Sequence, residues 1–283
     1  MNLTIVKKTV LSACTSLIGL PNLIRWTGEN LITIFYHTVS DAYLPHIHPL
    51  YTPKKVAEFE QDLDFLLQYF QAVDMETVKD VTLNGKILEK PSFHITFDDG
   101  LREVYHIILP ILEQKNIPAT AFVNTAFMDN RELFYRHKQM VTMNEDLFLY
   151  AQSPYLTWDE LKMMQERGFT IGAHSIDHPN YTSISEEEQI RQTLQSCREI
   201  EQHLGTPCRY FSFPFSEAGV NDSFFQAISS DIDLTFGISG ITRANGGRHL
   251  GRIDMEKYGK NAAQCIRRAY MTCFLKQKRI FAG

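Results

Sequence analysis

Residues 93–100 read Phe-His-Ile-Thr-Phe-Asp-Asp-Gly, an apolar run that ends in two adjacent carboxylates and a glycine. The β-branched and aromatic composition of this run predicts a buried strand. Successive side chains of an extended backbone point in opposite directions, so one carboxylate can bind a metal while the other faces a substrate. The alternative is a helix N-cap in a turn, where aspartate is common.

Strand patterns and helix patterns alternate on both sides of this stretch. Apolar runs predict further strands at residues 31–36, 119–123, 169–173, 209–213 and 234–238. Helical spacing predicts helices over residues 54–70, 101–116, 158–167 and 256–280, and Ser183 with Glu186 has the spacing of a capping box. This alternation predicts an α/β fold with a parallel sheet, either a barrel or an open wound sheet. Catalytic groups of such folds gather at the carboxyl ends of the strands.

The composition is that of a globular protein. The chain has 283 residues, of which 44% are hydrophobic and 22% are charged, and a single α/β barrel accounts for this length. The five cysteines are odd in number and none has the Cys-x-x-Cys spacing, so neither a disulfide framework nor a cysteine zinc site is expected. We expect reduced thiols and a cytoplasmic protein. Residues 9–24 are apolar but too short and too interrupted to span a bilayer.

The charges are unevenly distributed along the chain. The net charge of −5 gives no reason to expect nucleic-acid binding. Residues 29–256 contain all 33 acidic residues, whereas both ends of the chain carry only basic charges. Residues 261–282 mix apolar and basic side chains, as in a helix that lies on anionic lipid. A helix packed on the barrel with a basic outer face explains the same pattern.

A second polar cluster follows the predicted strand 169–173. Residues 174–178 read His-Ser-Ile-Asp-His, and histidines four residues apart can bind one ion from a helical turn or a tight loop. With one carboxylate of Asp98 and Asp99 they form a set of two histidines and one carboxylate. Such a set leaves coordination positions open, as a hydrolytic metal requires. Two unrelated surface histidines are the alternative.

Taken together, these stretches resemble the polysaccharide deacetylase family, the NodB-homology domain of carbohydrate esterase family 4. Residues 96–100 match the family's first motif, T-F-D-D-G, and residues 174–178 match its second, H-[ST]-x-x-H. Residues 211–215 look like a degenerate third motif, with Phe213 in place of the usual arginine and Phe215 in place of the usual tyrosine. The resemblance implies a single-domain, distorted (β/α)7 barrel.

The fourth and fifth motifs of the family are not recognisable near the C-terminus. The chain instead looks like a circularly permuted branch, in which Tyr36-His37 supplies the histidine of the fifth motif. The resemblance then implies that His37 protonates the leaving group, and that the backbone N–H of Phe215 binds the oxyanion. Arg252, which ends a late strand, is our hypothesis for the arginine that is missing at Phe213.

The resemblance also implies a metal site and a base. Asp99, His174 and His178 would bind a divalent metal, most often zinc in this family, and Asp98 would be the general base that activates a water molecule. The expected activity is removal of acetyl groups, most simply N-acetyl groups, from a polysaccharide or oligosaccharide. A related metal-dependent amide hydrolase with a non-glycan substrate and a catalytically inactive glycan-binding relative are the alternatives.

The sequence also suggests a division of the chain. We expect a helical segment over residues 1–28, a barrel over 29–255 with an insertion at 127–156, and a basic helix packed on the barrel over 256–283. The expected partner is a glycan, without nucleic acid, and the basic ends suggest peripheral membrane contact. The oligomeric state is left open.

Overall fold

Strands β1 (Leu31–Tyr36) and β3 (Ser92–Phe97) are the longest strands of the described sheet. They pair in parallel over six residues each, and every residue of both strands is buried. A continuous apolar run without polar alternation is what a strand covered on both faces requires. The predicted strand at 93–97 is therefore correct and is one residue longer at its start.

The computed structural model describes residues 18–48, 50–128, 153–256 and 261–278. The other strands in these ranges are β2 (Gln71–Ala72), β4 (Ala119–Val123), β5 (Thr170–Ala173), β6 (Tyr210–Ser212), β7 (Leu234–Gly237), β8 (Arg243–Ala244), β9 (His249–Gly251) and β10 (Ile253–Asp254). The α-helices are α1 (Leu20–Thr27), α2 (Val56–Tyr69), α3 (Met75–Leu83), α4 (Leu109–Gln114), α5 (Trp158–Glu166), α6 (Glu186–Leu204), α7 (Asp222–Ile228) and α8 (Ala262–Gln277).

The strands form one curled sheet. Their order is β10-β1-β3-β4-β5-β6-β7-β9-β8, with β2 beside β3, and the pairs are parallel except for β8 with β9. Only Arg252 separates β9 from β10, which pairs with β1 at the other edge. The Thr33 hydroxyl also donates to the Gly251 carbonyl at 3.0 Å, across the same seam. The sheet thus curls back toward its first edge as a half-barrel, and the expected single-domain α/β barrel fold is confirmed.

Two local predictions are wrong in detail. The predicted helix 101–116 begins as a π-helix at Val104–Ile108 and becomes α4 only at Leu109–Gln114. Pro110 explains the change, because proline has no N–H to donate to the preceding turn. Ser183 does not cap α6; Ser185 does, by accepting a hydrogen bond from the Glu188 N–H.

The predicted division of the chain is described only in part. Helices α1 and α8 lie in the segments expected to be helical, and they pack against each other. Most of the expected insertion 127–156 lies outside the described residues, as do residues 1–17 and 279–283. The boundaries therefore stay a prediction. None of the described helices is long and apolar enough to cross a membrane.

A buried carboxylate joins α2, β1 and α8. Asp62 is 2% exposed; it forms an ion pair with Lys54 and accepts hydrogen bonds from the Tyr36 hydroxyl at 3.0 Å and the Ala262 N–H at 2.6 Å. The Ala262 N–H belongs to the first turn of α8, where a helix has unpaired donors and favours a negative charge. Asp62 therefore fixes the start of α8 against the sheet.

Replacing Asp62 with alanine is expected to lower the free energy of unfolding by about 3–5 kcal/mol, because the buried ammonium of Lys54 loses its partner. Urea unfolding followed by circular dichroism measures the effect. Asp64→Ala is the matched control: its carboxylate is on the same helix, pairs with Lys115 and is 64% exposed. An Asp62→Ala variant as stable as this control would contradict the assignment.

Candidate active site

Polar side chains converge at the carboxyl ends of the strands. His37 follows β1, Asp98 and Asp99 follow β3, His174 follows β5, and Arg252 follows β9. Because the strands that carry them run in parallel, their carboxyl ends lie along one edge of the sheet. Residues that are far apart in the sequence therefore meet at one end of the half-barrel.

The first group in this site has the composition of a metal centre. One ligand atom each from Asp99, His174 and His178 lies within 4.8 Å of the others. The Nε2 atoms of His174 and His178 face Oδ1 of Asp99 at 3.4 and 3.3 Å. That oxygen is buried and accepts no hydrogen bond. A buried carboxylate oxygen without a hydrogen bond, faced by two imidazole nitrogens, is compatible with a divalent cation.

Contacts behind the cluster orient the histidines. Nδ1 of His174 lies 2.8 Å from the Ser212 carbonyl oxygen. Since a carbonyl only accepts, Nδ1 carries the proton and Nε2 presents its lone pair to the cluster. The Ser175 hydroxyl accepts a hydrogen bond from the His178 N–H at 3.0 Å and closes the loop between the two histidines.

The backbone at this edge is strained. Asp99, Ser175, His178 and Phe215 have φ values of 72°, 73°, 58° and 59°, in the left-handed region that side chains disfavour. Left-handed turns therefore bring the three side chains of the cluster together, and the extended backbone expected at Asp99 is wrong. Residues held in this way cluster at functional sites because the surrounding fold compensates for the strain.

The second group is a buried ion pair. Arg252 is 0% exposed, and its two terminal nitrogens each donate at 2.7 Å to a different oxygen of Asp98. Its other N–H groups donate to Thr96 Oγ1 at 2.9 Å, Ser212 Oγ at 2.7 Å and the Gly237 carbonyl at 3.2 Å. All five donors of the guanidinium are therefore used.

Arg252 also controls the charge of Asp98. Burial disfavours the carboxylate, but Arg252 outweighs that effect and holds the pKa of Asp98 below its usual value. The guanidinium stacks on the Phe35 ring at 4.5 Å, which limits its movement. Phe213, which stands in the arginine position of the family motif, lies instead in an aromatic cluster with Tyr181. Asp98 is thus fixed in its ionised form.

The third group is a histidine with a carboxylate partner. His37 donates from Nδ1 to Oε2 of Glu256 at 2.5 Å, and the His37 backbone N–H donates to the same oxygen at 3.1 Å. Burial opposes the charged imidazole, but Glu256 outweighs it and raises the pKa of His37 to about 10. His37 is therefore an imidazolium at neutral pH and can donate a proton.

Phe215 lies beside the cluster and not within it. Its side chain is 59% exposed, and its ring meets the ring of His178 edge-on with centroids 4.6 Å apart. It follows β6 and Pro214, at the edge where the other groups converge. The expected role of its backbone N–H stays a prediction.

Sequence reasoning missed Glu256 and Ser212. Glu256 follows β10, and it reaches His37 because β10 pairs with β1. Ser212 lies inside the degenerate third motif, and it contacts both Arg252 and His174. The available signal was position alone, since Ser212 is the last residue of β6 and Glu256 lies two residues after β10.

The family follows from a comparison with known proteins. The family model described as polysaccharide deacetylase matches residues 85–235, which is more than half of the chain. This protein belongs to the polysaccharide deacetylase family. The match includes Asp98, Asp99, His174 and His178, whereas His37 and Arg252 lie outside it.

Individual relatives agree with this family and fold. YxkH of Bacillus subtilis strain 168, named as a candidate polysaccharide deacetylase, is 24% identical over 184 residues, which are 64% of this chain and 55% of YxkH. The chain thus spans about half the length of that relative. The structure resembles the deacetylase PplD of Streptococcus pyogenes, with a TM-score of 0.66, 20% identity, and coverage of 83% of this chain and 97% of PplD. It also resembles IcaB of Ammonifex degensii, with a TM-score of 0.64, 20% identity, and coverage of 85% and 98%. The circular permutation stays a prediction.

Asp99→Asn is expected to lower the affinity for a divalent metal by about tenfold or more, because a neutral amide is a poorer ligand than a carboxylate. Changes of residues that only support metal ligands already lower the affinity by about 10–100-fold. Elemental analysis of the purified protein measures this. Asp177→Asn is the matched control, since Asp177 lies in the same loop but contacts Gln192. Full metal content in Asp99→Asn would refute the ligand set.

Arg252→Ala should keep its metal and lose most turnover, because Asp98 loses the guanidinium that holds it.

Proposed function

We propose that this protein is a metal-dependent deacetylase that removes N-acetyl groups from a polysaccharide or oligosaccharide. The observation that carries the proposal is the ionised Asp98, held by Arg252 next to a cluster of two histidines and a carboxylate. Membership of the polysaccharide deacetylase family supports the same chemistry. A protein of similar fold, with a TM-score of 0.59, is a de-N-acetylase from Aggregatibacter actinomycetemcomitans.

The donor set fits a divalent metal, with zinc as our choice. Asp99, His174 and His178 would hold it, because two imidazoles and a carboxylate are ligands that zinc accepts in hydrolytic sites. When bound, such an ion polarises a carbonyl group and makes water a better nucleophile at neutral pH.

Asp98 is the general base in this proposal. Its carboxylate is 3% exposed and ionised, and it can take a proton from an attacking water. Both of its oxygens bind Arg252, so the side chain cannot turn away during the reaction. Arg252 is a positioning residue that fixes the direction of this base.

His37 is the general acid. Expulsion of an amine needs a proton on the departing nitrogen, and the imidazolium of His37 can supply it from Nε2 while Nδ1 stays on Glu256. Asp98 accepts a proton and His37 donates one, so each complete reaction returns both groups to their starting states after exchange with water.

The backbone N–H of Phe215 would stabilise the oxyanion. A backbone donor aimed at the developing negative charge lowers the barrier of acyl transfer. Replacing the tyrosine of the family motif by Phe215 removes a hydroxyl but keeps this N–H. The left-handed backbone at Phe215, with φ of 59°, supports a special role for its peptide group.

The same contacts bear on the inactive alternative. A catalytically inactive glycan-binding relative was suggested by Phe213, which replaces the arginine of the third motif. Arg252 supplies a guanidinium to Asp98 from another strand, so the replacement does not leave the base without its partner. We therefore favour an active enzyme.

Acetate release tests the proposal directly. The metal-loaded protein is expected to release acetate from N-acetylglucosamine oligomers and to lose this activity with a chelator, with recovery when zinc is added back. An Asp98→Asn variant should keep its metal and lose most activity. Turnover of small cyclic amides without acetate release would favour the non-glycan amide hydrolase. No turnover of either class by the metal-loaded protein would support the inactive relative.

The pH profile tests the acid. Loss of the His37 proton should end activity at high pH, near the pKa of about 10. Glu256→Gln removes the carboxylate that stabilises the imidazolium, so burial dominates and the basic limb should move to lower pH by about one to three pH units. The dependence of kcat on pH measures it. An unchanged basic limb in Glu256→Gln would exclude His37 as the acid.

A further inference from the structure

The end of the half-barrel opposite the active site carries an exposed apolar and basic surface. Helix α1 precedes β1, and α8 runs from Ala262, which contacts Asp62, down to Gln277, whose amide donates to the Thr27 carbonyl at 3.1 Å. The two helices therefore meet at the amino-terminal end of β1. The active-site groups lie at the other end of that six-residue strand, roughly 20 Å away at about 3.3 Å per residue.

Aromatic side chains mark this surface. Trp26 is 43% exposed, and its ring lies 5.6 Å from that of Phe274 between centroids. Indole rings are favoured where an apolar phase meets water, because they are apolar with one polar N–H.

Three basic residues follow closely in sequence on or next to α1 and α8. Arg25, Lys276 and Lys278 are exposed, and Nζ of Lys278 lies 5.9 Å from the Phe274 ring. Neither α1 nor α8 contains an acidic residue. Glu29, the nearest acid along the chain, is paired with Arg243 at 3.4 Å. We call the surface formed by Arg25, Trp26, Phe274, Lys276 and Lys278 the basal surface.

A groove opens beside α1 at this end. It has a volume of about 450 Å³ and is lined by Pro21, Ile24, Arg25, Gly28, Asn30, Tyr69 and Pro91. Arg25 is the single charged residue of this lining, so the groove combines apolar walls with one positive charge. Residues 1–17 join the chain at the start of α1 and residues 279–283 leave it after α8; their only charges are those of Lys7, Lys8 and Arg279.

We propose that the basal surface docks on an anionic phospholipid bilayer. Helix dipoles account for lysines at the end of α8, but they do not account for an exposed tryptophan beside an acid-free groove. The rest of the chain, residues 29–256, has an excess of acidic side chains, so electrostatics would turn this surface toward the lipid and the active site away from it. The enzyme would then meet its substrate in the aqueous phase next to the membrane.

Vesicle sedimentation of the full, metal-loaded protein tests the proposal. Binding to phosphatidylcholine vesicles containing 30% phosphatidylglycerol is expected to exceed binding to pure phosphatidylcholine by about tenfold or more, and to weaken in high salt. Three variants of the basal surface, Arg25→Glu, Trp26→Ser and Lys276→Glu with Lys278→Glu, should each reduce binding. Acetate release from a soluble substrate should stay unchanged in all of them.

A control variant reverses a basic charge and removes an exposed apolar side chain at a site away from the basal surface. Lys162→Glu with Met163→Ser alters an exposed lysine and an exposed apolar side chain on α5, and should bind vesicles like the unchanged protein. Thermal melting by circular dichroism identifies a variant that fails to fold. If a variant of the basal surface fails to fold, Trp158→Phe provides a second test, because it leaves Trp26 as the only tryptophan. The fluorescence emission of Trp26 should then shift to shorter wavelength when anionic vesicles are added.

Three results would overturn the proposal: no preference for anionic vesicles, equal loss of binding in the control, or an unchanged Trp26 emission. Tight binding to soluble polyglutamate that Trp26→Ser does not weaken would assign the surface to a polyanion in place of lipid.

Discussion

The bidentate ion pair of Arg252 and Asp98 is the constraint on which the site depends. Arg252 lies between β9 and β10, where the chain passes from one edge of the curled sheet to the other. Its guanidinium uses all five donors inside the half-barrel: two bind Asp98, and three bind Thr96 of β3, Ser212 of β6 and Gly237 of β7. The residue that holds Asp98 is therefore also the residue at which the sheet turns back toward its first edge. Removing one partner of such a buried pair leaves an uncompensated charge, which costs about 3–5 kcal/mol in other proteins.

The other two groups are built in the same way, with a histidine at one strand end held by a residue from the neighbouring strand. His37 follows β1 and is held by Glu256, which follows β10. His174 follows β5 and is held by the Ser212 carbonyl in β6. Parallel pairing brings each couple together at one edge. Asp98 is thereby kept ionised and His37 protonated at the same pH, the separation that the proposed acid–base catalysis needs.

Local sequence predicted the elements better than their ends. The apolar runs located β1, β3 and β4, since continuous burial leaves a clear composition. The predicted start of α6 was wrong by two residues, because Ser183 and Ser185 are each followed by a glutamate three positions later. Spacing alone does not distinguish the two. The structure uses Ser185, with residues 181–183 in a short 3-10 helix.

The sequence by itself identified the three proposed metal ligands, because they lie in two short motifs whose residue types and spacing are local properties. It also placed His37 and Arg252 at strand ends. Only the tertiary structure decided which distant residues meet: Glu256 lies 219 positions from His37, and Arg252 lies 154 positions from Asp98. No local pattern encodes these contacts, since they arise when the sheet curls and brings β10 beside β1. The left-handed backbone at Asp99 and Phe215 likewise comes from packing around the site, because neither residue adopts that conformation by its own preference.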